Sequence, residues 1–327
     1  MKKSIPQNIL LLIGLAVVVL SCNKEDKYLP ASKHTTDHIS EKKGSQFEGR
    51  DWSGKIHTII VTNEVHGRNN QVAVTVPDEY ILVGGGGLVT PKFALPGAFL
   101  TGAYPDKALR TWHVSSKEHL LPFQHTLIGY AIGLKIDGLS KEELRKYIRI
   151  DSSRENKNHN PETPEAVAAI PKGYVVIGGG VRIDWSGAGT LLTKSIPGNA
   201  DWGAAGHKNI ESSNAHATVF SISIKSDIPT WGKLEVIRDY AINKPGPDFG
   251  GYRTVKLVKR KGWALTAVGG DALLTDKERG RYLTGIVPKA EPDESGEESS
   301  IVISKDNINY REAGNVAAYN VIIRKQP

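Results

Sequence analysis

The sequence predicts an all-β protein built from three internal repeats. The stretch Val76–Gly86 reads VPDEYILVGGG, and Ile170–Gly180 repeats it as IPKGYVVIGGG with the same internal spacing. A weaker third copy, KGWALTAVGG, occupies Lys261–Gly270. Short β-branched runs of strand length surround each copy, and turn-forming residues separate them. Repeats of this kind are units that pack on one another to bury a common core.

The same order of elements recurs in each repeat. A β-branched run opens it, beginning at Ile56, Tyr147 and Leu234 in turn. A second strand follows, and Pro77 and Pro171 then interrupt the ladder because proline has no N–H to donate. The glycine-rich strand comes next, and its glycines are expected where two backbones approach closely.

The second half of each repeat carries the pattern Leu-Thr-x-x-x-Pro, which begins at Leu100, Leu192 and Leu283 without a gap. A polar segment follows, and it opens with tryptophan in the first two repeats only. The closing strand alternates apolar residues with small or polar ones, which is typical of a sheet with one buried face. One short helix is predicted after Ser140, because Ser140 and Glu143 have capping-box spacing.

We expect residues 51–327 to form one all-β domain of three repeats, at about 56–146, 147–233 and 234–327. A closed pseudo-threefold arrangement of three antiparallel sheets leaves no repeat with an open sheet edge. In repeat count and glycine-rich strands it resembles the β-prism lectins and the vitelline membrane outer layer proteins, although their sugar-binding residues have no counterparts that can be placed here. Three tandem small β-sandwiches are the alternative architecture.

The N-terminus has the pattern of an export signal. Lys2 and Lys3 precede an apolar run, Ile9–Leu20, which is shorter than the ~20 residues needed to cross a bilayer. The run leads into Val19–Cys22, and Cys22 is the only cysteine. This resembles the lipobox of bacterial lipoproteins. The resemblance implies that residues 1–21 are a signal peptide and that Cys22 carries acyl chains such as palmitate as a membrane anchor.

Residues 22–50 are polar and predict a flexible tether. Within them, Asn23–Asp26 places a lysine and two acidic residues directly after Cys22, which resembles the surface-export signal of some Gram-negative lipoproteins. It implies an outer-membrane lipoprotein exposed on the cell exterior. A generic polar tether is the alternative, so the periplasmic or exterior face stays open. No disulfide is expected, because no cysteine other than Cys22 exists.

Several function classes lack support in the sequence. The formal charge of +7 is spread along the chain, so no nucleic-acid partner is predicted. No helical pattern follows Gly84–Gly87, which disfavours a phosphate-binding loop. His113, His119 and His125 are evenly spaced, but the turn between the last two prevents a shared face, and no metal or other cofactor is predicted. Neither a G-x-S-x-G elbow nor an obvious Ser-His-Asp grouping is present, so the sequence favours a protein that is not an enzyme and leaves enzyme activity open.

The polar segments that follow the Leu-Thr motif are the predicted ligand site. Aromatic rings stack on the apolar faces of sugars, and lysine, aspartate and asparagine bind hydroxyl groups. The alternative is that the tryptophans fill the core and the polar residues form turns. The predicted ligand-binding residues are Trp112, Lys117, Glu118, His119, Trp202, His207, Lys208, Asn209, Lys305, Asp306 and Asn307.

The sequence therefore predicts a lipid-anchored binding protein of the cell envelope that recognises carbohydrate or another extracellular polymer. The alternative is a structural or protein-partner-binding subunit of an envelope complex, and the third hypothesis is a glycan-directed hydrolase. Exposure of Trp112 and Trp202 distinguishes the first two. Exposed rings favour a glycan site, whereas buried rings favour a protein partner.

Overall fold

The computed structural model describes residues 44–90, 97–119, 121–154, 162–209, 214–243, 251–272, 281–289, 298–306 and 315–327. The predicted signal peptide, Cys22 and most of the tether lie outside the described residues. In the part of the chain that is described, no helix has both the length and the apolar character to cross a membrane.

The three repeats contain six strands each, in the same order. The first repeat has β2 (Ile56–Gly67), β3 (Gln71–Thr75), β4 (Ile81–Thr90), β5 (Ala98–Pro105), β6 (Thr111–Glu118) and β7 (His125–Ile136). The second has β8 (Ile148–Arg154), β9 (Glu165–Ala169), β10 (Tyr174–Asp184), β11 (Thr190–Pro197), β12 (Asp201–Lys208) and β13 (His216–Lys225). The third has β15 (Gly232–Ile242), β16 (Tyr252–Val258), β17 (Ala264–Asp271), β18 (Arg281–Val287), β19 (Ser299–Asp306) and β20 (Ala317–Lys325).

In the described parts of the chain, three elements lie outside this pattern. The strand β1 (Gln46–Arg50) precedes the first repeat, α1 (Lys141–Tyr147) links the first two repeats, and β14 (Asp227–Ile228) precedes the third. The helix begins as predicted, because Ser140 Oγ accepts from the Glu143 amide and the Glu143 carboxylate accepts from the Ser140 amide. Since β1 lies within the predicted tether, the ordered fold starts earlier than the sequence analysis placed it.

The strands form three antiparallel sheets, and each sheet draws on two repeats. Sheet 1 has the order β1-β2-β7-β4-β18-β19-β16, sheet 2 has β3-β6-β5-β10-β13-β8, and sheet 3 has β14-β15-β20-β17-β11-β12-β9. In every sheet the first, sixth and third strands of one repeat meet the fourth, fifth and second strands of another. The prediction of an all-β fold with three repeats in a pseudo-threefold arrangement is confirmed. The expectation that no repeat keeps an open sheet edge is wrong, because each sheet ends in edge strands, such as β9 of sheet 3. The tandem sandwiches are excluded because no sheet belongs to a single repeat.

The threonine of the Leu-Thr motif has one structural role in all three repeats. The pairing register shifts by one residue at Thr101, Thr193 and Thr284, so each is the extra residue of a β-bulge. All three side chains are buried. Each hydroxyl donates within its sheet, for instance from Thr101 Oγ1 to Ser115 Oγ at 2.7 Å. A bulge bends its strand, and the residues that follow it, such as Gly102 and Ala103, pair with the third strand of another repeat within the same sheet.

The glycine-rich strands meet at the pseudo-threefold axis. A Cβ atom on Gly84 would lie 2.3 Å from the carbonyl oxygen of Thr266, and one on Gly178 would lie 1.9 Å from that of Val83. Backbone therefore packs directly on backbone between sheets, which a side chain at either glycine would prevent. These glycines serve the fold, as the sequence analysis expected.

Tryptophan and glycine form a matched pair in the first two repeats. A Cβ on Gly85 would lie 2.6 Å from the indole of Trp112, and one on Gly179 would lie 2.4 Å from that of Trp202. Each glycine therefore makes the space that one indole fills between two sheets. The third repeat has Val268 and Ser300 at the corresponding positions.

The two indoles differ in their hydrogen bonding, which gives a stability prediction. Trp202 Nε1 donates to Ser195 Oγ at 3.0 Å, whereas Trp112 Nε1 is buried and finds no partner among the described residues. Ala103 occupies the position in the first repeat that Ser195 has in the second. We expect Ala103→Ser to raise the free energy of unfolding by about 1 kcal/mol and Ser195→Ala to lower it by roughly 1–3 kcal/mol, as measured by urea unfolding. No change in either variant would contradict this account.

Candidate functional site

Five of the predicted ligand-binding residues gather at one end of the pseudo-threefold axis. The fourth strands of the three repeats, β5, β11 and β18, begin there, and they bring Phe99, Leu191 and Tyr282 into one buried apolar group. Polar side chains from the ends of β6, β12 and β19 surround this group. We call the assembly the axial cluster, and its members are Phe99, Leu191, Tyr282, Lys117, His119, His207, Asn209 and Lys305.

Hydrogen bonds join the first two repeats within the axial cluster. His119 Nδ1 and Asn209 Oδ1 are hydrogen-bonded, and both residues are buried. The Asn209 amide donates to the Ala188 carbonyl at 3.0 Å, and Lys117 Nζ donates to the same oxygen at 2.9 Å. Lys117 also lies 5.0 Å from the ring centroid of Trp185. Burial lowers the pKa of this lysine.

Tyr282 connects the third repeat to the other two. Its hydroxyl donates to the Lys208 carbonyl at 2.9 Å, and its ring centroid lies 5.3 Å from that of Phe99 in an edge-on arrangement. The imidazole of His119 packs edge-on against the same phenylalanine at 5.4 Å. These contacts are those of a packed core with internally satisfied polar groups, and among the described residues of the cluster they leave no exposed face on which a sugar could stack.

Lys305 is the most deeply buried charged side chain of the axial cluster, at 1 % exposure. Its ammonium nitrogen lies 5.1 Å from the ring centroid of Tyr252 and 5.8 Å from that of Phe99. Desolvation lowers the pKa of Lys305 to about 8, and it raises the pKa of Tyr252 to about 12. The aromatic rings compensate part of the cost of burying the cation.

The lowered pKa makes stability depend on pH with a defined sign. Below about pH 8 the lysine is protonated in both states, so the cost of burying its charge is fully present. As pH rises further, the folded state loses the proton while the unfolded state, with a pKa near 10.5, keeps it, so the free energy of unfolding rises. Tyr252, with its pKa of about 12, stays protonated over this range.

We expect Lys305→Met to raise the free energy of unfolding at neutral pH by roughly 1–3 kcal/mol, because a buried charge is replaced by an apolar chain of similar length. The difference from the wild type should shrink between about pH 8 and pH 10, where the wild-type lysine becomes neutral when folded. Urea unfolding at several pH values measures both effects. The exposed Lys172→Met serves as the control, and a pH-independent difference for Lys305→Met would refute the explanation.

The other predicted site residues lie elsewhere. Trp112 and Trp202 are 1 % and 0 % exposed, so the expectation that they present stacking faces is wrong, because each indole fills the space beside a glycine. Glu118 pairs with Arg68 at 2.8 Å. Although its partial burial acts in the opposite direction, hydrogen bonding and the charge of Arg68 hold the pKa of Glu118 below its usual value. Lys208 pairs with Glu162 at 3.0 Å.

Asp306 is the last residue of β19, and Asn307 lies outside the described residues. Of the three evenly spaced histidines, His119 belongs to the axial cluster. His125 is buried and hydrogen-bonded through Nε2 to Ser116 Oγ at 2.8 Å, while His113 stacks on Tyr104. Within the described ranges, no three His, Cys, Asp or Glu side chains converge as metal ligands.

An exposed surface on sheet 3 was missed by the sequence analysis. Tyr240 is 67 % exposed, and its ring stacks on Tyr319 with centroids 6.2 Å apart. The Arg238 guanidinium donates to the carbonyl and side-chain oxygens of Asn199 at 3.3 and 3.4 Å. These residues line an open groove with Pro197, which we call the tyrosine groove. The available signal was a break in the repeat, since the other two repeats have a hydroxyl residue at the position of Tyr240.

Sheet 2 carries a second aromatic surface, which we call the aromatic strip. The ring of Tyr104 lies between those of Phe220 and His113, with centroids 5.9 and 5.3 Å away and nearly parallel planes. The Arg182 guanidinium lies 5.9 Å from the Tyr104 centroid and donates to Asp184 Oδ2 at 3.1 Å. Tyr104 and His113 are partly exposed. A flat aromatic face beside an ion pair can stack on a ring and bond to its polar substituents.

Comparison with known protein families and curated sequences assigns no function to these residues. No protein-family model matches the chain. No curated protein sequence matches it significantly.

Proposed function

We propose that this chain is a lipid-anchored protein of the cell envelope that binds a protein partner through the tyrosine groove and through the part of β15 that no described strand covers. The observation that carries the proposal is the exposure of Tyr240 and Ile242, at 67 % and 48 %, on β15, which the short edge strand β14 covers only at Gly232 and Lys233. Large apolar side chains on an exposed sheet edge are characteristic of interaction sites. The burial of Trp112 and Trp202 also favours a protein partner over a sugar at the tryptophan segments.

The anchor in this proposal is Cys22, at the end of the lipobox-like sequence. The polar residues that follow it would hold the domain away from the membrane on a tether. We expect cells fed labelled palmitate to incorporate it into the wild-type chain and not into Cys22→Ser. Equal labelling of both chains would refute the anchor.

Partner binding is tested by photo-crosslinking in intact cells. A photoreactive phenylalanine replaces Tyr240 in one variant and Val167 in the other. Val167 is the matched control because it is 50 % exposed and lies on β9, at the opposite edge of sheet 3. The proposal expects one discrete adduct from position 240 and none from position 167. No adduct at position 240, or the same adducts from both positions, would overturn it.

The aromatic strip on sheet 2 favours a second candidate function, recognition of an extracellular glycan. Tyr104, His113 and the Arg182–Asp184 pair provide the stacking face and polar groups that such a ligand requires. We expect Tyr104→Ala to weaken binding to a polysaccharide from a test panel, while Tyr240→Ala leaves it unchanged. Absence of binding across the panel would eliminate this candidate.

Glycan hydrolysis has weaker support. It requires two opposed carboxylates. In the aromatic strip as described, Asp184 supplies one carboxylate, and the hydrogen bond from Arg182 already engages it.

A further inference from the structure

The pseudo-threefold symmetry makes β15 of sheet 3 the counterpart of β2 of sheet 1. Ile60 in β2 pairs with Ile132 in β7, and Arg238 in β15 pairs with Val321 in β20, at the same position of the repeat. The two edge strands differ in what covers them. The strand β1 pairs with β2 at residues 57–61. Among the described residues, β14 is the only strand that pairs with β15 on that side, and it reaches only Gly232 and Lys233.

The part of β15 that no described strand covers presents backbone donors in a known direction. The Thr62 amide in β2 points outwards, since it donates to the Ser45 carbonyl at 3.2 Å. The Leu234 amide in β15 likewise points outwards, to the Ser226 carbonyl at 2.7 Å. Because direction alternates along a strand, the amides of Val236 and Arg238 also point away from β20. Val236 and Arg238 correspond to Thr58 and Ile60 of β2, which pair with β1.

The strand β1 shows which side chains such an edge accepts. Phe47 lies opposite Ile60, and the Lys289 ammonium nitrogen sits 4.0 Å from its ring centroid. Gly49 lies opposite Thr58, where a Cβ would come within 2.8 Å of the Thr58 hydroxyl oxygen. The occupied edge of sheet 1 therefore holds an aromatic residue followed, two positions later, by a small one.

The corresponding places on sheet 3 suit the same pattern. An aromatic residue in the Phe47 position would lie opposite Arg238, whose guanidinium can stack on a ring, and beside the exposed ring of Tyr240. Pro197 closes the far side of the tyrosine groove, as Pro288 does beside β1 in sheet 1. The small residue would lie opposite Val236.

We propose that β15 binds an extended segment of a partner protein by antiparallel strand addition, and that this segment carries an aromatic residue with a small residue two positions after it. The inference rests on the proposed partner-binding function and specifies the chemistry of the partner. Main-chain hydrogen bonds along the edge supply affinity, and the tyrosine groove selects the aromatic side chain.

A second copy of this chain fits the edge less well. Antiparallel pairing of two β15 strands centred on Ile237 would place Glu235 of each copy opposite Asp239 of the other. Like charges that face each other across a strand pair are destabilising. Ion pairs within each copy, Glu235 with Arg324 and Asp239 with Arg260, offset part of this repulsion.

The test uses a fluorescent peptide with the sequence of residues 44–51, GSQFEGRD, and the full chain in detergent, read by fluorescence anisotropy. Two substitutions at position 238 distinguish the contribution of the backbone amide to peptide binding from that of the side chain. Arg238→Pro removes the outward amide without touching the ladder to β20, and Arg238→Ala keeps that amide. We expect Arg238→Pro to weaken peptide binding about tenfold or more, and Arg238→Ala to weaken it less. A peptide with alanine in place of phenylalanine should lose about tenfold.

Amide hydrogen exchange gives a readout that does not depend on a variant. The peptide should slow exchange at Val236 and Arg238 in the wild-type chain and leave the edge strand β9 unchanged. Failure of the peptide to bind, equal binding of the alanine peptide, or unchanged exchange at β15 would each overturn strand addition. So would a concentration-dependent dimer that Arg238→Pro abolishes. A discrete crosslink at position 240 without peptide binding would refute strand addition but leave the proposed partner binding in place. Absence of both the crosslink and peptide binding would refute both proposals.

Discussion

Replacing Trp202 by alanine is expected to lower the free energy of unfolding by roughly 3–5 kcal/mol, because a fully buried indole is lost from between two sheets. Gly179→Val alone is also expected to destabilise the fold, since its Cβ would lie 2.4 Å from that indole and 2.5 Å from the Phe220 carbonyl oxygen. The double variant should lose less unfolding free energy than the two single variants combined, by about 1–2 kcal/mol. The third repeat already combines a valine, Val268, with the small residue Ser300 at these positions.

The matched control combines Trp202→Ala with Gly85→Val, whose side chain would meet the other indole. These two sites share no contact of the kind described, so their effects should add to within about 0.5 kcal/mol. Urea unfolding of all the variants measures both cycles. Equal coupling in the two cycles, or none in either, would disprove the pairing of each glycine with its own tryptophan.

Gly178→Ala is the second substitution with a large expected effect. The added methyl group would lie 1.9 Å from the Val83 carbonyl oxygen, which belongs to the backbone of another sheet and has no rotamer to change. We expect a loss of about 3 kcal/mol or more in the free energy of unfolding, with a matching fall in the melting temperature.

The control for this prediction is Gly203→Ala. Its nearest neighbour across the open face of β12 would be a methyl carbon of Val167 at 3.9 Å, so the expected change is within about 0.5 kcal/mol. Thermal and urea unfolding distinguish the two glycines. If Gly178→Ala proves as stable as Gly203→Ala, close packing of backbones at the axis is not what requires glycine there.

The repeats could be predicted because their spacing is visible along one chain, whereas the exchange of strands between repeats is not. The alternation of a strand such as β7 indicates which face is buried, but it carries no information on the neighbouring strand. The role of Thr101 as a bulge was hidden for the same reason. Only the pairing of two strands reveals which residue is extra.

Residue type alone left two environments open for the tryptophans, a stacking face for a sugar and the protein core. The decisive signal was already present, since the third repeat replaces both Trp202 and Gly179 by residues of altered size. Recognising it required knowing that these two positions touch across different sheets. By contrast, Tyr240 was not predicted, because the candidate site residues were chosen for recurring in the repeats. An interaction surface can depend on the one repeat that differs.

The exchange of strands between repeats has a consequence for how the chain acquires its structure. A single repeat contains two half-sheets, and each is completed only by another repeat. Three separate copies of one repeat would complete each other in the same cyclic way, so the domain is equivalent to a homotrimer whose subunits are joined end to end. Sheet 1 combines strands from the two ends of the domain. It therefore closes through contacts of long sequence separation, which makes slow, all-or-none folding the expected behaviour.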